Sequence, residues 1–262
     1  MASGDITADR AEASDGQYGA SFDGVDDYVE ILHHASQLGA NLSNGFTISA
    51  WIFPESIGET AGKILDKSED ISTANGFTFK IAAGPVITFD IASGADKSSG
   101  TIKYNVWTHC LVTITSASLV THYMNGVQSG IPGVGGGINE IITTNAPRIG
   151  NRSGATDRTF DGIIRGVKMW NRVLTAAEIA ADYAGYNSPR EGLILDVPLT
   201  NDYNDHSPLA FTGTNSGTYL LNTLPNRIKA DANSLNLAAD TDKIIALPRR
   251  GNPVIIGANR EA

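Results

Sequence analysis

Short apolar runs set the pattern of this chain. Tyr28–Leu32, Phe46–Phe53, Phe77–Ile81, Val86–Ile91, Trp107–Thr115, Leu119–Met124, Arg148–Gly150 and Ile163–Trp170 alternate or cluster in β-branched and aromatic residues, which is how strands read. Turn formers separate them: Asn44-Gly45, Asn75-Gly76, Gly84-Pro85 and Asn125-Gly126. Asn-Gly pairs supply the positive φ that two-residue hairpin loops require. Many short strands at this spacing predict a sandwich or barrel. Phe22, Trp51, Phe53, Trp107 and Trp170 are too many large apolar groups for loops. They are expected to fill the space between two sheets.

One stretch carries a helical period instead. In Thr175-Ala176-Ala177-Glu178 the spacing is that of a capping box, in which each end satisfies a free backbone N–H. Ile179 and Tyr183 make its apolar stripe and Gly185 its stop. The expectation is one short helix on the sandwich edge.

Composition then narrows the classes. The chain has 262 residues, 41% hydrophobic and 18% charged, a globular balance. A net charge of −9 without a long basic run argues against nucleic acid as a ligand. No apolar stretch approaches the roughly 20 residues that span a bilayer. The single cysteine, Cys110, excludes an intrachain disulfide and a Cys-rich zinc module, and its place beside Trp107 predicts a small buried residue. Met1–Tyr18 reads as a polar arm lacking the apolar centre of a secretory signal. The charge is unevenly spread. Thr223–Ala262 holds six Lys/Arg and four acids, so it carries +2 while the remainder carries −11. No aromatic follows Tyr219. A body and a tail of different roles are expected.

Five motifs in order then resemble the laminin-G-like, concanavalin-A-like jelly-roll domains. They are Ser21-Phe22-Asp23-Gly24-Val25-Asp26-Asp27-Tyr28-Val29, Gly45–Ile52, Trp107-Thr108-His109, Tyr123–Val127, and Phe160–Leu174 with the helix after it. The resemblance implies an all-β, two-sheet antiparallel jelly-roll sandwich with one short helix and a C-terminal strand-forming extension. It covers about Gly19–Tyr186.

The chain divides accordingly into an arm (1–18), a jelly-roll body (19–186), a strand segment (187–222) and a tail (223–262). Glu191–Leu199 is similar to the strand that precedes the Phe-Asp-Gly motif in the family. Residues 234–248 loosely repeat Ser21–Leu32. Two readings stay open for 191–221: it completes the sandwich in cis, as in a circular permutation, or adds to a neighbouring subunit. For 223–262, grouped apolar residues need a partner surface. Leu235, Leu237, Ile244, Ile245, Val254, Ile255 and Ile256, with Arg249 and Arg250, are the expected intersubunit contacts.

Candidate chemistry is sparse. Retaining glycosidases need two carboxylates about 5 Å apart, and the family's alternating Glu-x-Asp-x-(x)-Glu strand is absent. Asp66, Glu69 and Asp70 read as a solvated loop. His33 and His34 are adjacent, and His109 and His122 lie on strands expected to pair, but no third ligand supports zinc. Gly133–Gly137 reads as a flexible loop. Calcium is a possibility that the resemblance implies, and it takes six to eight hard oxygens. Asp26, Asp27, Asn151 and Asp157 are the candidate ligands; no other cofactor is expected. The absent carboxylate motif argues for a non-enzymatic protein, and the resemblance implies a structural or adhesion role in an assembly, with a homo-oligomer or a capsid protein as partner. Phage virion decoration fits that description and would place the chain on the virion. The alternative is a lectin-like module binding glycan through loop aromatics such as Tyr104 or Tyr203, and a glycoside hydrolase is disfavoured. Neither nucleic acid nor membrane is expected as a partner.

Overall fold

A computed structural model describes residues 19–69, 75–91, 97–185 and 188–221, and the strands 243–245 and 255–257. The residues up to 221 form one unit and those from 222 another.

Two antiparallel sheets make the first unit. One sheet is centred on β3 (Gly45–Pro54), which lies between β8 (Thr108–Thr115) and β12 (Asp161–Trp170). β9 (Leu119–Met124) and β10 (Val127–Val134) extend it past β8. The far edge of β12 is shared. β1 (Gly19–Asp23) pairs with its first half and β13 (Leu193–Val197) with its second. β15 (Tyr219–Leu221) pairs with β1. The second sheet runs in the order β14 (Gly213–Ser216), β2 (Tyr28–Ile31), β11 (Arg148–Ile149), β4 (Lys63–Lys67), β5 (Phe77–Ala82), β6 (Val86–Ile91) and β7 (Lys97–Thr101). Residues 191–221 thus contribute β13, β14 and β15 to both sheets of this unit.

The pleat of β3 decides which residues make the core. Phe46, Ile48, Ala50 and Ile52 are fully buried in the cluster between the sheets. They meet Phe22, Phe77, Phe79, Phe89 and Phe160 there. Alternate residues point to the other face of a strand, so Thr47, Ser49, Trp51 and Phe53 lie outside. This corrects the expected filling. Of its five aromatics, Phe22 lies between the sheets. Trp51, Phe53 and Trp107 are half-buried and outside that cluster. Trp170 is buried in a separate cluster with Leu111, Leu174, Ile179 and Leu193.

That second cluster sits under a helix. α1 is one turn at Gly39–Leu42, and α2 spans Ala176–Tyr183. Both halves of the α2 capping box form. Glu178 N–H donates to Thr175 Oγ1 at 3.3 Å, and Thr175 N–H donates to Glu178 Oε2 at 2.8 Å. Arg172 grips the Glu178 carboxylate at 2.7 and 2.8 Å. The Arg172 hydrogen bond, with the Thr175 backbone, pulls the Glu178 carboxyl down to about 2.

Three further expectations change. Asp66 is not in a solvated loop: β4 is buried along its whole length. Asp66 Oδ1 and Lys67 Nζ are engaged by the fold, while Asp66 Oδ2 is buried without a hydrogen bond, 3.8 Å from Lys63 Nζ. Asp66 Oδ1 accepts from Ser68 N, Ser68 Oγ and Ser153 N at 2.7–3.1 Å. Lys67 Nζ donates to the Asn145 carbonyl at 2.7 Å and lies 3.0 Å from His33 Nδ1. Burial pushes the Lys67 amine down to about 8. Of the expected loop Gly133–Gly137, Gly133 and Val134 belong to β10, which shifts register between Ser129 and Gly133, and 135–137 lie beyond the strand. His122 pairs across from Val112, faces inward and stacks on Phe79, whereas His109 lies under α2. The two histidines are therefore on opposite faces and not neighbours.

In the second unit β16 (Lys243–Ile245) pairs antiparallel with β17 (Ile255–Gly257), with Ile244 opposite Ile256. Ile245 and Ile255 are the adjoining pair. Residues 1–18, Leu235, Leu237, Arg249, Arg250 and Val254 lie outside the described residues. Among the described residues no helix is long and apolar enough to cross a membrane.

Candidate functional site

The turn from β1 to β2 gathers acids at one end of the sandwich. Asp23 Oδ1 accepts from Val25 N–H at 2.8 Å, and Asp27 Oδ2 accepts from Asp23 N–H at 2.7 Å. These bonds fold the turn so that carboxylate oxygens of Asp23, Asp26 and Asp27 come within 4.8 Å of one another. Asp26 is exposed and Asp27 is 4% exposed.

Two neighbouring segments brace this turn. The β14–β15 turn approaches so closely that a Cβ on Gly217 would land 1.8 Å from Asp27 Oδ1. Gly217 also holds φ +79°, a conformation that favours glycine. From the other side, Asn151 Nδ2 donates to the Asp27 carbonyl at 3.3 Å and to Thr159 Oγ1 at 2.6 Å. Asn151 Oδ1 accepts from Arg152 and Arg158 N–H at 2.8 and 3.2 Å. Asp157 pairs with Arg152 at 2.9 Å.

The structure therefore brings Asp26 and Asp27 together with Asp23, and Asn151 beside the Asp27 backbone. Asn151 presents its amide nitrogen to that backbone, and Asp157 is held by an arginine. Asp23 was not among the four expected ligands. Its spacing, Asp-x-x-Asp-Asp, is the signal that places it with the other two. Three carboxylates offer hard oxygen donors, the kind calcium takes. The donor set fits that ion, with the remainder of its six to eight oxygens to come from backbone carbonyls or water.

Glycosidase chemistry finds less purchase. Asp66 and Asp90 share a face of the second sheet, each opposite Thr78. Both are buried. Asp66 is engaged as described above, and Asp90 accepts from Lys80 Nζ at 2.5 Å.

The outer face of the first sheet carries the other concentration of chemistry. Asp182 on α2 is fully buried and accepts from Lys168 Nζ at 2.7 Å and Ser188 Oγ at 2.8 Å. Its other oxygen faces His109 Nε2 at 3.1 Å. Beside this knot Trp51 stacks on Tyr183, with ring centroids 5.6 Å apart.

The comparisons agree with this architecture. Residues 23–180 match the family model described as the concanavalin A-like lectin/glucanases superfamily. The chain belongs to the concanavalin A-like lectin/glucanase superfamily. Solved structures of concanavalin A-like shape are similar at low identity. One is a Bacteroides ovatus protein proposed to bind carbohydrate: 17% identity and a TM-score of 0.59 over 79% of this chain. This chain spans 60% of that protein's length. Another is a heptameric SAP-like pentraxin of Limulus polyphemus, with 13% identity and a TM-score of 0.56 over 78% of this chain and 94% of the pentraxin. A third is the enzymatically active domain of bacteriophage CBA120 tailspike protein 2, with 15% identity and a TM-score of 0.52 over 70% of this chain and 30% of the tailspike chain. No curated protein matches the sequence. At these identities the concanavalin A-like likeness is one of fold.

Proposed function

We propose that the protein is a non-enzymatic, lectin-like adhesion module displayed on an assembly such as a phage virion, and that it engages glycan at the 23–27 rim. The observation that carries this reading is the convergence of the Asp23, Asp26 and Asp27 carboxylates on a frame braced from both sides. A calcium ion held there would offer open coordination positions to sugar hydroxyls. Asp66 and Asp90 are closed off from solvent, with Asp66 Oδ1 and Asp90 Oδ2 engaged, which supports a binding role over a hydrolytic one.

A glycan array read at several calcium concentrations tests this. Glycan signal should rise with calcium and vanish in chelator, and Asp26→Asn should weaken it at least ten-fold. Asp26 is exposed, so the fold should tolerate the change. Calcium-independent signal that survives Asp26→Asn rejects the rim. Glycan hydrolysis that disappears when one carboxylate is replaced rejects the non-enzymatic reading.

The tail is proposed to make the contact with the assembly, through a second copy of the chain or a capsid protein. A lone two-stranded hairpin is at best marginally stable in water, and β16 and β17 are the strands of the second unit among the described residues. The tail's +2 also opposes the −11 of the rest. Deleting residues 223–262 should leave a cooperatively folded body and reduce the mass in solution to that of the monomer. A truncated protein that assembles as the full chain does removes the anchoring role.

A further inference from the structure

The outer face of the first sheet holds a ribbon of aromatic rings that the interior does not use. Phe53 and Trp51 point outward from β3 because their neighbours Ile52 and Ala50 are committed to the core. Trp107 stands just before β8, in a loop tied to the end of β3 by Asn105 N–H donating to the Pro54 carbonyl at 2.7 Å. Arg165 lies across from Trp51 in the β12–β3 register.

These side chains touch in sequence. The Phe53 and Trp107 centroids are 5.6 Å apart. The Arg165 guanidinium lies 4.3 Å from the Trp107 centroid and 5.3 Å from the Trp51 centroid. Trp51 then stacks on Tyr183 and lies 5.2 Å from His109. Each of Trp51, Phe53, Trp107 and Arg165 is half-buried, and Tyr104, Val106 and Tyr183 around them are exposed. The rings are carried on a strand, on a loop tied to that strand, and beside the buried Asp182 knot under α2. Rings held in place before binding lose little entropy on binding.

We infer that this ribbon is a second, cation-independent binding site, and that its ligand is a neutral oligosaccharide chain. Sugar rings present apolar C–H faces that lie on aromatic rings and hydroxyls that accept from a guanidinium, and the ribbon alternates those two surfaces. Single-stranded nucleic acid also stacks on aromatic rings. Residues 1–222 carry −11, which disfavours a polyanion, whereas a neutral glycan meets no such field. None of the ribbon side chains named above is a carboxylate, so the ribbon stands or falls independently of the 23–27 rim.

Tryptophan fluorescence reads it directly. The protein has three tryptophans; Trp51 and Trp107 lie in the ribbon and Trp170 is buried. The full chain, in EDTA, is titrated with maltohexaose, cellohexaose, laminarihexaose, mannohexaose and chitohexaose. At least one should give a saturable change in emission. Trp107→Ala should weaken that ligand at least ten-fold and Trp107→Phe less than that, with thermal unfolding confirming that both variants fold. Should Trp107→Ala fail to fold, Phe53→Ala is read in its place. Single-stranded DNA at the same concentrations should leave the emission unchanged. No response to any of the five sugars at millimolar concentration overturns the proposal. So does a response that survives the variants, or capture of DNA in preference to sugar. Glycan binding that appears only with calcium and is indifferent to Trp107 would leave the rim standing and remove the ribbon.

Discussion

Asp182→Ala is expected to destabilise the body by about 3 kcal/mol, since removing one partner of a buried ion pair leaves the other uncompensated. Asp182 is fully buried and holds Lys168, Ser188 and His109 at 2.7–3.1 Å. The Lys168 side chain is 16% exposed, so part of its charge can rehydrate. The loss should therefore fall at the low end of the range for such pairs. The damage spreads because the carboxylate fastens α2 to the outer face, above Leu111, Trp170 and Ile179. Urea unfolding should show a lower midpoint with an unchanged slope. A loss under 1 kcal/mol would mean that the apolar contacts under α2 hold it without the carboxylate.

The same group sets an acid limit. Burial alone would raise the Asp182 carboxyl, but the His109 hydrogen bond and the Lys168 charge outweigh it and hold the carboxyl well below the usual range. A depressed carboxyl stabilises the fold above its unfolded value near 4, and that contribution is lost as pH falls through the lower folded value. Between pH 7 and pH 5 the Asp182 contribution should therefore be constant. Below about pH 4 the wild type should lose stability faster than Asp182→Ala, and their unfolding midpoints should converge.

These residues also show what sequence reasoning can reach. The strands β2, β3, β5, β6, β8, β9, β11 and β12 and the helix α2 were all legible, because period, turn residues and a capping box are local signals. Strand β4 was not. Lys63-Ile64-Leu65-Asp66-Lys67 hides its burial behind charges. Asp66 and Lys67 meet Ser68, Asn145 and Ser153, and Lys63 lies 3.8 Å from Asp66, partners set by the fold and invisible in the local pattern. The ribbon was missed for the opposite reason. Trp51 and Phe53 are as apolar as any core residue, and only the pleat shared with Ala50 and Ile52 shows that they face outward. Of the rim, Asp26 and Asp27 were legible as candidates and Asp23 was not, because which acids of a turn converge is decided by the folded turn. Here it makes the turn and joins the cluster as well.

Gly150→Ala should cost as much as a large core truncation, about 4 kcal/mol, although it adds one methyl group. Two separate terms add. Gly150 holds φ +85°, and a side chain forced there costs about 1–3 kcal/mol. Its Cβ would also lie 2.0 Å from Phe22 Cε1, inside the ring's own volume. Phe22 is buried and packs edge-on against Phe160 at 6.2 Å, so it cannot swing away without disturbing the core. Overpacking of that kind costs about 1–3 kcal/mol. The two terms can be separated. Phe22→Ala removes both ring atoms that the new Cβ would meet, Cε1 at 2.0 Å and Cδ1 at 2.1 Å, so the double variant Phe22→Ala/Gly150→Ala should be more stable than the sum of the single losses implies. The shortfall that remains measures the backbone term. The change should also reach the rim, because Gly150 directly precedes Asn151, whose amide braces the Asp27 carbonyl. On the proposed calcium reading of the rim, affinity for the ion should fall in Gly150→Ala and recover in part in the double variant. Strict additivity of the two substitutions would show that the methyl group never meets the ring, and that the backbone term alone accounts for the loss.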